Sequence, residues 1–152
     1  MAVGSGQPPV RVHDTVCQYT AQWSPDGRWI ACPEHGHISL ISPDGKTLRM
    51  VGGRPGMVTW SRDSKTLYTL GQDEKQKWLF TTIDVPGGSE KTLAVMGAEE
   101  NFWTNFRDAS MISLAPDGKS IAATSNPFRS DVWVLEGFPQ PRAWIRRLLW
   151  WR

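Results

Sequence analysis

A chain of 152 residues, 39% apolar and 21% charged, has the size and balance of one folded domain. Its formal net charge of +2 makes no general case for nucleic acid, and no run approaches the roughly 18 apolar residues that a membrane span needs. The first residues lack the charged, apolar and small-residue order of a secretory signal, so any export is expected to depend on a segment outside this chain.

Met1 to Gln7 is small and Gly-rich, and Pro8-Pro9 leads into Val10-Arg11-Val12, whose apolar alternation suits an outer strand. Four short strands are then expected near 20–24, 28–32, 37–42 and 47–51. The first two flank Trp23-Ser24-Pro25-Asp26-Gly27-Arg28. Pro25 presets the first corner of a type I turn, Asp26 can hydrogen-bond its own backbone, and Gly27 accepts positive φ without a steric penalty. Asp44-Gly45-Lys46 turns the last two strands. Gly52 to Gly56 connects to a second group, from about Met57 to Val95, where Trp60-Ser61-Arg62-Asp63-Ser64-Lys65 repeats the first turn and Asp84-Val85-Pro86-Gly87-Gly88 supplies the second. Here Ser64 stands where the first copy has Gly; in the left-handed conformation it costs on the order of 1 kcal/mol relative to Gly. A third group starts near Ser110, turns at Pro116-Asp117-Gly118 and stops after its third strand, at Glu136.

Asp26 and Asp63 lie 37 positions apart, and Asp63 and Asp117 lie 54 apart. A period of about 20 to 50 residues marks an array of units that cannot bury their faces singly, and the shorter interval suits a four-stranded propeller blade. The longer one is a blade carrying an insertion. The expected fold is therefore all-β: a partial β-propeller of about three four-stranded antiparallel blades over 15–53, 54–97 and 98–138, with an orphan outer strand in 1–14 and a short C-terminal helical tail over 139–152. Closed propellers have about four to eight blades. The flat faces of the first and last blades and one sheet edge are thus expected to be uncovered, which invites association. Either the chain is the C-terminal portion of a longer propeller, or two copies close a six-bladed ring in which each Val10–Val12 strand completes the other copy's last blade.

The Trp23 to Arg28 turn, followed by Ile38-Ser39-Leu40-Ile41-Ser42-Pro43-Asp44-Gly45-Lys46, resembles the WD-repeat-like β-propeller blades of the TolB family, and Ser130 to Phe138 is similar to the last strand of such a domain. Similar blades occur in prolyl oligopeptidase-type enzymes and in propeller domains of some bacterial serine/threonine kinases. The resemblance covers about residues 10 to 138 and speaks to fold more than to function. It implies a bacterial module for protein–protein recognition in the periplasm or cell envelope. The alternative it leaves open is an accessory or sensor propeller domain of an enzyme.

Cys32-Pro33-Glu34-His35-Gly36-His37 gathers metal-ligating types, and a His-x-His pair on an extended strand would point both rings to one face. Its place between two strands favours a solvent turn, so no metal or cofactor is expected. Cys17 and Cys32 read as small buried fillers, with a disulfide as the alternative in an oxidising compartment. No Gly-x-Ser-x-Gly elbow, phosphate-binding loop or kinase signature occurs, and the turns account for Asp26, Asp44, Asp63, Asp84 and Asp117; the chain is expected not to be an enzyme.

Two segments exceed what blades require. Gly97 to Ala109 is a long connection carrying Phe102, Trp103, Phe106 and Arg107, residue types that anchor interfaces; the competing reading has the aromatics packing on neighbouring strands. The tail from Gln140 has four Arg and no acidic residue, with Trp144, Arg146, Arg147, Trp150 and Trp151 among apolar positions at nearly helical spacing. It is expected either to dock on the propeller or to lie on a membrane surface or a protein partner.

Overall fold

The computed structural model describes residues 11–54, 56–96, 112–125 and 131–137. Within them three antiparallel sheets form. Strands β1 (Gln22–Trp23), β2 (Ile30–Pro33), β3 (Ile38–Ile41) and β4 (Leu48–Val51) lie side by side in chain order. The meander is repeated by β5 (Gly56–Trp60), β6 (Thr66–Gln72), β7 (Trp78–Asp84) and β8 (Glu90–Met96), and a third sheet holds β9 (Ile112–Leu114), β10 (Ser120–Ser125) and β11 (Asp131–Glu136). The inner strands β1, β5 and β9 are neighbours, so the sheets stand as successive blades. Among the described residues there is no helix; the helical tail expected over 139–152 lies outside them and finds no support.

The repeated turn makes the first hairpin of each blade. In blade one Ser24 Oγ donates to Asp26 Oδ1 (2.7 Å), the same oxygen accepts from the Arg28 N–H (3.0 Å), and the Gly27 N–H donates to the Ser24 carbonyl (2.9 Å) with Gly27 at φ 71°. Ser61, Asp63 and Lys65 reproduce these bonds in blade two, Ser42, Asp44 and Lys46 do so between β3 and β4, and in blade three Asp117 accepts from Lys119 while Gly118, at φ 71°, donates to Ala115. Asp84 closes β7 to β8 by accepting from Gly87 (2.8 Å). A sixth aspartate, unremarked in the sequence, does the same between β6 and β7: Asp73 accepts from Lys75 and Lys77, both at 2.9 Å.

Strand alternation then sorts side chains onto two faces. Ala31, Ile38, Leu40 and Val51 of blade one meet Val58, Trp60, Leu67 and Ile83 of blade two. On its other face blade two presents Met57, Tyr68, Leu70, Trp78 and Phe80 to Ile112, Ile121 and Ala123 of blade three. Bulky residues on one side meet smaller ones on the other, and each buried large side chain contributes about 1.5–3 kcal/mol. The β4–β5 connection passes close between the blades: a Cβ on Gly53 would come within 2.7 Å of Ile83 and 2.9 Å of Ile38.

Three expectations change. Cys17 and Cys32 are not separate fillers but a disulfide. The Gln18 N–H donates to the Pro33 carbonyl (2.8 Å), which draws residue 17 alongside β2, where the fully buried Cys32 meets it. The His-x-His stretch is not extended, because Gly36 at φ 83° bends the chain; His37 lies by Glu34 (3.6 Å) and His35 by Gln18. Arg11 and Val12, expected in an outer strand, pair with no strand among the described residues. Instead the Val12 carbonyl lies over Gly45, where a Cβ would run into it.

Candidate docking surface at the open ends of the blade stack

The 37-residue interval gives each residue of the β1–β2 hairpin a counterpart in the β5–β6 hairpin, and the bonds across the junction of the two blades show what a blade requires of its neighbour. Trp60, the last residue of β5, is 6% exposed; its indole N–H donates to the Gln22 carbonyl of β1 (3.1 Å). Ser64 takes the left-handed conformation at φ 61°, and its hydroxyl accepts the Asp26 N–H of blade one (3.0 Å). Arg49 of β4 donates to the Pro86 carbonyl in the outer turn of blade two (3.1 Å). Glu90 of β8 accepts the Gly53 N–H (3.0 Å) and lies 3.9 Å from Arg54.

On the outward face of blade one the same residue positions meet no neighbouring blade among the described residues. Trp23, the counterpart of Trp60, is 56% exposed. Register places Trp23, Ile30 and Ile41 on one face, with Leu48 opposite Ile41 and Met50 opposite Ser39. Cys32, Ser39 and Ile41 at the centre of this face are buried, which corrects the expectation of a wholly uncovered blade; Leu48 and Met50 at its border are exposed, as are Val12 and Val16 in the segment tied down by the disulfide. Trp23, Leu48 and Met50, all exposed, therefore share the outward face of blade one. Charges beside them are paired: Arg11 with Asp14 (3.1 Å) and Lys46 with Asp44 (3.8 Å).

At the other end, Val134 of β11 lies opposite Ala122 of β10, which in turn lies opposite Ser113 of β9. These hold the positions of Leu40, Ala31 and Gln22 in blade one. Leu40 is fully buried against blade two, whereas Val134 is 59% exposed. Among the described residues β11 pairs on one side only.

Pro25, Asp26, Gly27, Asp44, Gly45, Asp63, Pro116, Asp117 and Gly118 lie in hairpin turns, and Asp84 ends β7 at the turn that its carboxylate closes. Hydrogen bonds from Ser24 and then from the Arg28 N–H hold the Asp26 carboxyl below its ordinary value, and Ser42 and the Lys46 N–H do the same for Asp44. Phe102, Trp103, Phe106, Arg107, Trp144, Arg146, Arg147, Trp150 and Trp151 lie outside the described residues. Sequence reasoning missed the apolar border of blade one, although the Trp23–Trp60 correspondence was available in the repeat.

The stack is part of a β-propeller. An oligogalacturonate lyase solved in complex with manganese is similar at 18% identity and a TM-score of 0.55, over 79% of this chain and 35% of that one. TolB from Acinetobacter baumannii is similar at 16% identity and a TM-score of 0.49, over 76% and 27%, and the periplasmic gluconolactonase of Pseudomonas aeruginosa at 16% and 0.40, over 80% and 38%. The chain thus spans less than two fifths of each, and at this identity the likeness speaks to fold alone. No protein-family model matches the sequence, and no curated protein matches it. The lyase corrects the expectation that the chain is not an enzyme. That expectation rested on missing elbow, phosphate-loop and kinase motifs, which belong to other folds, and their absence does not separate catalytic from non-catalytic propellers.

Proposed function

We propose that this chain works by binding a polypeptide on the outward face of blade one. One observation carries the reading: Trp23 and Trp60 occupy the same repeat position, yet Trp60 is sealed by a neighbouring blade while Trp23 is 56% exposed on a face that also carries the exposed Leu48 and Met50. A clustered apolar face with paired charges beside it has the make-up of a protein interface, with an aromatic anchor and a polar rim. The Cys17–Cys32 disulfide fits an oxidising compartment.

A photo-crosslinking residue at position 23, compared with one at the exposed Lys91 of β8, tests this in cells that make the protein. Adducts with polypeptide are expected from position 23 and not from 91. Equal yields from both would remove the reading.

A further inference from the structure

We propose that the Cys17–Cys32 disulfide is a redox latch on the recognition face of blade one, opened by a dithiol reductant and tuned by the hydroxyl of Ser39. The proposal rests on the recognition reading and gives that face a control. Its first ground is the path of the segment before β1. The Val12 carbonyl lies over Gly45, in the turn between β3 and β4, and Cys17 is bonded to Cys32 on β2. Trp23 stands on β1, and Leu48 and Met50 stand on β4, at the two borders of the sheet. Residues 12–17 therefore cross the outward face between them and divide one apolar face in two. Little besides the disulfide fastens this strap. Among the described residues, the ion pair of Arg11 with Asp14 and the hydrogen bond of His13 with Thr15 lie inside the segment, and Val12 and Val16 are exposed.

The second ground is Ser39. Register sets it directly opposite Cys32, both are fully buried, and its hydroxyl has no hydrogen-bond partner among the described residues. A buried hydroxyl left unpaired is costly; a disulfide sulfur is a poor acceptor for it, whereas a thiolate is a strong one. Opening the latch supplies what is missing. A thiolate of the dithiol attacks Sγ of Cys17, the partly exposed partner. The S–S bond breaks and its electron pair leaves on Sγ of Cys32, to which the Ser39 hydroxyl donates until that sulfur takes up a proton. The second thiol of the reductant, as thiolate, attacks the mixed disulfide and expels Cys17, which is protonated in turn. The dithiol ends as a disulfide, and the protein has gained two electrons and two protons. Residues 11–16 are then free to leave the face, and Trp23, Leu48 and Met50 form one surface. The Gln18 N–H still donates to the Pro33 carbonyl, so the chain stays anchored just before β1 and Cys32 stays covered.

The test has two arms on the full oxidised chain. In the first, dithiothreitol in native buffer opens the bond, and thiols are counted by alkylation after acid quenching and denaturation. The rate is expected to rise in proportion to dithiothreitol and to exceed that of global unfolding, and Ser39→Ala is expected to slow it about fivefold or more. A rate limited by global unfolding, or one indifferent to Ser39→Ala, would overturn the latch. In the second, the crosslinking residue at position 23 is used in cells before and after a pulse of dithiothreitol. Adducts with polypeptide are expected to rise about threefold or more on reduction, as the apolar face becomes continuous, while the Lys91 control stays level. Cys17→Ser, which has no latch, is expected to give the raised yield without reductant. Adducts that are present but the same in both comparisons overturn the latch and keep recognition, whereas no adducts above the Lys91 control in any state remove both.

Discussion

Trp23 and Trp60 are the same residue in the same place of the repeat, each ending an inner strand before a Ser-x-Asp turn, and they have opposite fates. Trp60 is enclosed by Ala31, Leu40 and its own blade and hydrogen-bonded through its ring; Trp23 looks outward. Local sequence sets which way a side chain points, but the neighbouring blade decides whether it becomes core. Truncation measures that difference. Trp60→Ala is expected to cost about 3–5 kcal/mol in urea unfolding at dilute protein, and Trp23→Ala no more than about 0.5 kcal/mol under the same conditions. Equal losses would break the comparison.

The outward side of blade one is held by a covalent tie. The disulfide closes a separation of 15 residues, for which the chain-entropy account gives about 3 kcal/mol. Cys17→Ser is expected to lose that amount and to leave Cys32 reactive to thiol reagents only on unfolding, since its side chain is fully buried. Thiol titration of the oxidised wild type should find no free thiol. A variant as stable as the wild type would show that hydrogen bonds such as Gln18 to Pro33 hold this end unaided.

Much of the fold was legible because turn chemistry is local. Pro25, Asp26 and Gly27 specify a turn from within five residues, so the hairpins and their spacing could be read directly. What was not legible depends on contacts across the repeat. Ser64 looked like a defect where Gly was expected; its hydroxyl in fact serves Asp26 of the preceding blade. Cys17 pairs with Cys32 because the chain runs back along β2, which spacing alone does not reveal. An uncovered first blade could be expected from the blade count, but which side chains stay exposed on it could not, since a tryptophan in a strand reads as core until its surroundings are seen.

Ser64 makes that point measurable at smaller scale. It bears a left-handed strain of about 1 kcal/mol and supplies a hydrogen bond worth about 1 kcal/mol. Ser64→Gly removes both and is expected to be nearly neutral. Ser64→Ala keeps the strain and loses the bond, and is expected to unfold about 1 kcal/mol more easily. Two variants of equal stability would show that the bond across the blades contributes nothing.

The smallest expected effect separates turn chemistry from blade contact. Asp26 lies at the packed junction and Asp44 at the open end, yet both carboxyls are held below their ordinary 3.8 by the same local serine and backbone bonds. A depressed folded-state value means that these bonds stabilise the fold fully above the unfolded-state range and are lost as pH falls from about 4 through the lower folded-state value. Asp26→Asn and Asp44→Asn are each expected to flatten the decline of the urea midpoint below about pH 4. The flattening should be slightly greater at Asp26, which alone of the two has a hydroxyl from the next blade, that of Ser64, beside it. Because the principal bonds arise inside each turn, covering the outward face of blade one should leave both slopes unchanged. Slopes that shift when a polypeptide binds there would show that the turns sense what faces the blade as the tryptophans do.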